Sequence, residues 1–219
     1  VETIQERYPE FTYWVNEEWQ QTRSAFSLLQ VDLPAFSDCM VSYSDILIRK
    51  SLVSALSAVD ADIVIAVDSH WRKRFSGRTQ EDLARCEKVC VHEAVVTRLG
   101  ADIAPDIASA EFVGCVRFAP NVVAALTHAK VDLRERLRHG NLSDLIEVLR
   151  MQGFVVRSVD VSGDWAELNE PRDLAHFVLG TKAQTLQRLS GMVTLSRIED
   201  QVSFTVAEWR EDADSLMLA

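Results

Sequence analysis

The run Asp62-Ile63-Val64-Ile65-Ala66-Val67 places five consecutive apolar residues between two acidic ones, Asp62 and Asp68. A strand with one wet face alternates apolar and polar residues, so an unbroken run of this length predicts a strand covered on both faces. The apolar positions before it, Ile46, Leu47, Ile48, Leu52, Val53, Leu56 and Val59, recur at helical spacing. Cys39–Tyr43 reads as a further strand. Strand, helix and buried strand form a β-α-β unit, whose default is a parallel pair with a right-handed crossover.

The same periods alternate along the rest of the chain. Phe11–Val15 is a short aromatic and β-branched run leading into a helix expected over Glu17–Leu29. Glu87–Leu99 reads as a β-hairpin and Phe112–Phe118 as a strand. Helices are expected at Val122–Leu137 and Leu142–Met151, the second closed by Gly153. A strand follows at Phe154–Val161, then a helix from Asp173 to Leu179 that stops at Gly180. The fold class is therefore α/β, with a mostly parallel, twisted central sheet, flanking helices and a β-hairpin insertion. Residues 1–180 are expected to form the main domain, and 181–219 a C-terminal extension or linker to a further domain of the same polypeptide. The latter stretch bears a short resemblance to the opening of the nucleotide-binding domain of phosphoenolpyruvate synthase-like enzymes.

Charge and cysteine content narrow the function. A net charge of -10, from 23 basic and 33 acidic residues, opposes binding to nucleic acid or an acidic membrane surface. No apolar run approaches the roughly 20 residues of a membrane span, so a soluble, cytoplasmic protein is expected. Cys39, Cys86, Cys90 and Cys115 show no CxxC spacing and read as reduced thiols. Cys86, Cys90 and His92 are close in sequence, yet lack the four-ligand pattern of a structural zinc site.

Two segments carry hard oxygen ligands at the tips of expected strands: Tyr43-Ser44-Asp45 and Trp165-Ala166-Glu167-Leu168-Asn169. Ligands of open α/β sheets bind beyond the carboxyl ends of the strands, where Asp45 and Asp68 both fall. Magnesium needs only one or two protein oxygens beside substrate phosphates and water. Both segments also suit helix caps, Asp45 before Ile46 and Asn169 before Glu170-Pro171. Asp68, Trp71 and Glu111 form a candidate ring for an acceptor's amine or hydroxyl end, with Trp71 facing an ammonium. Lys88 and Arg78 are candidates for an acceptor's phosphonate.

The segments Asn16–Leu28, Tyr43–Leu47, Asp62–Asp68, Glu111–Gly114 and Trp165–Leu174 together resemble the nucleotidyltransferases that load sugar phosphates, phosphocholine or phosphonates onto a nucleotide. They run in that family's order over residues 11–178, and the nearest likeness is to the cytidylyltransferases that accompany phosphoenolpyruvate mutase in phosphonate biosynthesis. The resemblance implies a Rossmann-like fold and transfer of CMP from CTP to a small phosphonate or phosphate ester, with release of pyrophosphate. It implies Mg2+ at Asp45 and Asn169, with Glu167 beside them, as the catalytic centre. It implies that Asn16, Trp19, Thr22 and Ser27 lie beside the nucleotide and acceptor pocket; Asp68, Trp71, Lys88 and Glu111, read from the residues themselves, are the further substrate-binding candidates. The family's glycine-rich nucleotide loop has no counterpart before Phe11, since the first glycine is Gly77. This departure leaves two expectations: an enzyme active only with a preceding segment, or a catalytically incomplete nucleotide-binding or docking module of a multidomain enzyme.

Overall fold

Three strands run in one direction with a fourth laid antiparallel among them, and this arrangement fixes where the site can be. In the computed structural model, which describes residues 2–33, 37–74, 80–168 and scattered positions beyond, the central strand is β6 (Ala110–Phe118). It pairs antiparallel with β1 (Cys39–Ser42) on one side and with β3 (Ile63–Asp68) on the other. β7 (Val156–Asp160) lies parallel to β3. The hairpin β4 (Lys88–His92) and β5 (Val95–Gly100) pairs back onto β6 and β7. The expected α/β class holds, but the sheet is mixed rather than mostly parallel: of these pairings among the described residues, β3 with β7 is parallel and the others are antiparallel. β1 and β3 do run the same way, as a β-α-β unit requires, yet β6 is inserted between them.

β3 shows why its sequence is continuously apolar. Ile63, Ile65 and Val67 face one core, with Leu126 and Leu133 of α6 (Pro120–Arg136) and Leu145, Ile146 and Leu149 of α7 (Leu142–Met151). Val64 and Ala66 face a second core, with Leu52 and Leu56 of α3 (Lys50–Ala58) and with Trp165. Helices thus cover both faces of the sheet, and every residue of β3 is buried.

Local signals set the element ends. Pro120 opens α6 at a position where the missing N–H costs nothing. α7 begins with Asp144 accepting the Asn141 N–H at 2.7 Å, and the chain turns out of it at Gly153, φ +101°. The β4–β5 turn is Glu93-Ala94, both with positive φ, the two-residue geometry that matches strand twist.

Two expected helices are shorter than their apolar pattern. Ile46–Ile48 is a strand, β2, and α3 starts only after Arg49, whose ψ of 148° is extended. Three adjacent apolar residues, two of them β-branched, suit a strand better than a helix's first turn. Asp45 consequently lies in the turn before β2 and caps no helix. Of Glu17–Leu29 only Ser24–Leu28 is helical, as α2.

The chain divides into two compact units, Val1–Trp165 and Ala166–Ala219, earlier than the boundary expected at residue 180. Arg78, Asn169 and most of the helix expected at Asp173–Leu179 lie outside the described residues. No helix among the described residues is long and apolar enough to cross a membrane.

Candidate active site

Because β1, β3 and β7 run the same way, their carboxyl ends share one edge of the sheet with the start of β6. Asp45 follows β1 in an exposed turn. Asp68 ends β3 and Asp160 ends β7. Glu111 sits at the start of β6, opposite Asp68 on one side and Lys88 on the other. Three residues singled out from distant parts of the sequence are therefore neighbours across three strands, and all are buried.

Their hydrogen bonds give each a definite part. Asp68 accepts the His70 N–H at 2.8 Å on one carboxylate oxygen and the Trp165 indole N–H at 2.9 Å on the other. It ties the loop after β3 to the end of the first unit. The Lys88 ammonium donates to the carbonyls of Leu83, Ala84 and Cys86 at 2.9–3.2 Å, which uses its three donors and holds the last turn of α5 (Gln80–Arg85). It has no proton left for a phosphonate, so the ligand role expected of Lys88 gives way to a structural one. Trp71 is also enclosed, packed with Ile103 and Ala108, and the cation over its ring is the chain's own Arg72 at 4.7 Å. A ligand's ammonium therefore does not reach it.

Asp160 collects the neighbouring loop. Its carboxylate accepts the N–H groups of Ser69 and Ser162 at 3.1 and 2.8 Å. Burial alone would raise its pKa, but these hydrogen bonds hold it below the usual carboxylate range. His70 Nδ1 lies 3.0 Å from the Ser162 carbonyl, completing a clasp between the loops after β3 and β7.

The Asn16–Ser27 stretch closes on itself. Asn16 Nδ2 donates to Thr22 Oγ1 at 2.9 Å and to Ser27 Oγ at 2.8 Å, while its Oδ1 accepts the Glu18 N–H at 3.0 Å. The spacing of this motif thus serves loop shape. Trp19, at its apex, is 67 % exposed.

One network joins residues whose connection had no sequence signal. Tyr43 Oη donates to Glu87 Oε2 at 2.9 Å, and Ser143 Oγ donates to Glu87 Oε1. Ser24 Oγ accepts the Leu142 N–H at 2.8 Å and lies 3.5 Å from Tyr43 Oη. Burial pushes the Glu87 carboxyl upward, opposed by the donors Ser143 and Tyr43. Burial and the Glu87 charge push the Tyr43 hydroxyl upward. The four residues come from four separate segments, a juxtaposition only the folded topology creates. Tyr43 packs against Gly114, whose φ is +84° and where an added Cβ would lie 2.2 Å from the ring.

No group of three or more His, Cys, Asp or Glu among the described residues is placed to hold a metal, and this includes Cys86, Cys90 and His92. Cys86 and Cys90 donate instead to the carbonyls of Leu83 and Ile107. The donor that suits a hard cation is Asp45, an exposed carboxylate beyond a strand end, and one or two such oxygens suffice for magnesium carried on phosphates. Glu167 belongs to the second unit.

The fold of this chain, a mixed sheet covered by helices on both faces, is similar to that of solved structures. The inositol-1-phosphate CTP transferase from T. maritima superposes with a TM-score of 0.55 at 21 % identity, over 76 % of this chain and 64 % of that one. The chain has the nucleotidyltransferase fold. A Bacillus anthracis protein assigned as a glucose-1-phosphate thymidylyltransferase, solved with sucrose, gives a TM-score of 0.56 at 15 % identity, over 78 % of this chain and 65 % of that one. In sequence, the chain is 22 % identical over 145 residues to the CTP:phosphoglutamine cytidylyltransferase of Campylobacter jejuni, which accords with the nucleotidyltransferase resemblance read from the motifs. That match takes in 63 % of this chain, and the chain spans 57 % of the relative's length. No family model matches.

Proposed function

We propose that this nucleotidyltransferase-fold chain carries the catalytic edge of a cytidylyltransferase, which moves CMP from CTP to a small phosphonate or phosphate ester and releases pyrophosphate. The observation that carries the reading is Asp45: an exposed carboxylate in the turn beyond β1, at the ligand-binding edge of a fold shared with a CTP transferase.

In the reaction an oxygen of the acceptor's phosphonate attacks the α-phosphorus of CTP, the bond from that phosphorus to the bridging oxygen breaks, and pyrophosphate leaves. The acceptor oxyanion is itself the nucleophile, so no covalent enzyme intermediate is required. On the motif resemblance, Asp45 would hold Mg2+ together with Asn169 and Glu167, and the ion would neutralise charge on the triphosphate. The clasp formed by Asp68, Trp165, Asp160 and His70 ties the loops at this edge together. The Asn16-Thr22-Ser27 loop presents Trp19 as a flat surface for the nucleotide or acceptor. A 2-aminoethyl- or 2-hydroxyethylphosphonate is the acceptor class we favour, on the resemblance of the five motifs.

Pyrophosphate release from CTP, with Mg2+ and a panel of 2-aminoethylphosphonate, 2-hydroxyethylphosphonate and phosphocholine, tests the reading. Asp45→Asn should lower kcat by at least about a hundredfold, the scale of losing a preorganised charge contact. Equal turnover by the variant would remove Asp45 from the mechanism. CTP binding without turnover on any acceptor would replace the enzyme reading with that of a nucleotide-binding module.

A further inference from the structure

Burying Lys88 removes one of the two cations the sequence offered for the acceptor's anionic group, the other, Arg78, lying outside the described residues, and the structure supplies further ones. An open cleft of about 700 Å³ lies between the start of α2 and the start of α7, lined by Arg23, Arg85, His139 and Asn141 with Ala84 and Ala101. Its walls are stitched together by the main chain: the Arg23 N–H donates to the Arg138 carbonyl at 3.2 Å and the Ala25 N–H to the Gly140 carbonyl at 3.2 Å.

We propose that this cleft binds the phosphoryl or phosphonyl dianion of the acceptor through Arg23, Arg85 and His139. Its role in the reaction rests on the transfer reading above, whereas its capacity to bind an anion does not. The chain carries ten more acidic than basic residues, so a concentration of cations in one cleft is not a by-product of a basic surface. Three acids close in sequence to the lining residues are already engaged. Glu18 is paired with Arg138, Asp102 with Arg98 at 2.6 Å, and Asp144 accepts the Asn141 N–H. Among the described residues Arg23 and Arg85 make no ion pair, and both side chains are exposed to the cleft's solvent. Two guanidinium groups and an imidazole line the cleft, guanidinium forks pair with phosphonate oxygens, and a concave basic wall concentrates such an anion. The volume lies within the range of small-ligand sites. Ser24, which follows Arg23, joins the cleft to the Tyr43–Glu87 network behind the catalytic edge.

Isothermal titration with 2-aminoethylphosphonate, inorganic phosphate and CTP, each alone, tests the assignment. Arg23→Gln and Arg85→Gln should each weaken 2-aminoethylphosphonate about tenfold, the scale of one charge-assisted hydrogen bond, and leave CTP affinity unchanged. Arg136→Gln, which removes a cation from α6 outside the cleft, should change neither, and melting curves would verify that all three variants fold. Wild-type affinity for the phosphonate and phosphate in the Arg23→Gln/Arg85→Gln double variant, or no saturable binding to the wild type, would overturn the proposal. A loss of CTP affinity equal to that of the phosphonate would overturn the acceptor assignment and make the cleft a triphosphate site. Phosphonate binding that needs both arginines, in a protein that releases no pyrophosphate, would keep the cleft and refute the transfer reading alone.

Discussion

Gly114 and Glu87 bracket the Tyr43 side chain, and each yields a prediction. At Gly114 a methyl group would lie 2.2 Å from the Tyr43 ring, on a backbone with φ +84° that L-residues avoid. Gly114→Ala should therefore cost about 2–4 kcal/mol, combining backbone strain with overpacking, and a lowered urea midpoint would register it. Glu87 is an acid whose folded pKa is raised, chiefly by burial. The folded protein then holds its proton above the ordinary value of 4.5, where the unfolded chain has released it. Stability should fall as pH rises from about that value through the folded pKa. Glu87→Gln should flatten this fall, as melting temperatures across that range would measure. Asp160 works in the opposite sense: its lowered pKa adds stability at neutral pH that is lost on acidification through the carboxylate range. Tyr43, Ser24 and Gly114 lie in segments that the sequence singled out, but their link to Glu87 was not legible there. Glu87 opens the expected hairpin, and the residues that give it meaning lie in three other segments.

At the scale of elements, agreement followed the clarity of the end signals rather than pattern length. α7 spans Leu142–Met151 as its apolar spacing and Gly153 indicated, and the β4–β5 hairpin lies within the alternation at Glu87–Leu99. The Ile46–Val59 pattern misled because three adjacent apolar residues fit either period, and the break at Arg49 leaves no glycine or proline to mark it. The order of strands was hidden for another reason: β6 enters between β1 and β3 from much later in the chain, and pairing at that separation carries no local signal. Lys88 shows the consequence for function. From the sequence Lys88 is a candidate ligand for the acceptor's phosphonate, yet its ammonium closes α5 from within. Lys88→Met should lower stability by about 2–3 kcal/mol, since it leaves buried carbonyls without donors, while the acceptor KM of the folded fraction stays unchanged. A raised KM with unaltered melting temperature would restore the ligand role.

For the whole molecule, the sheet directions explain why scattered motifs converge. With β1, β3 and β7 pointing one way, the residues after each strand reach one edge, and the clasp of Asp68 with Trp165 holds that edge at its far end. The sequence showed which residues to watch at that edge, Asp45, Asp68 and Glu111 among them. It did not separate those exposed to a ligand from those spent on structure, because exposure is set by packing from remote segments. CMP transfer is read out by 31P NMR of the protein with CTP, Mg2+ and 2-aminoethylphosphonate. Transfer gives one pyrophosphate released per CTP consumed, together with two mutually coupled phosphorus signals from the new P–O–P linkage, both strongly reduced with Asp45→Asn. CTP left intact, or hydrolysed to free CMP without a coupled pair, would contradict it.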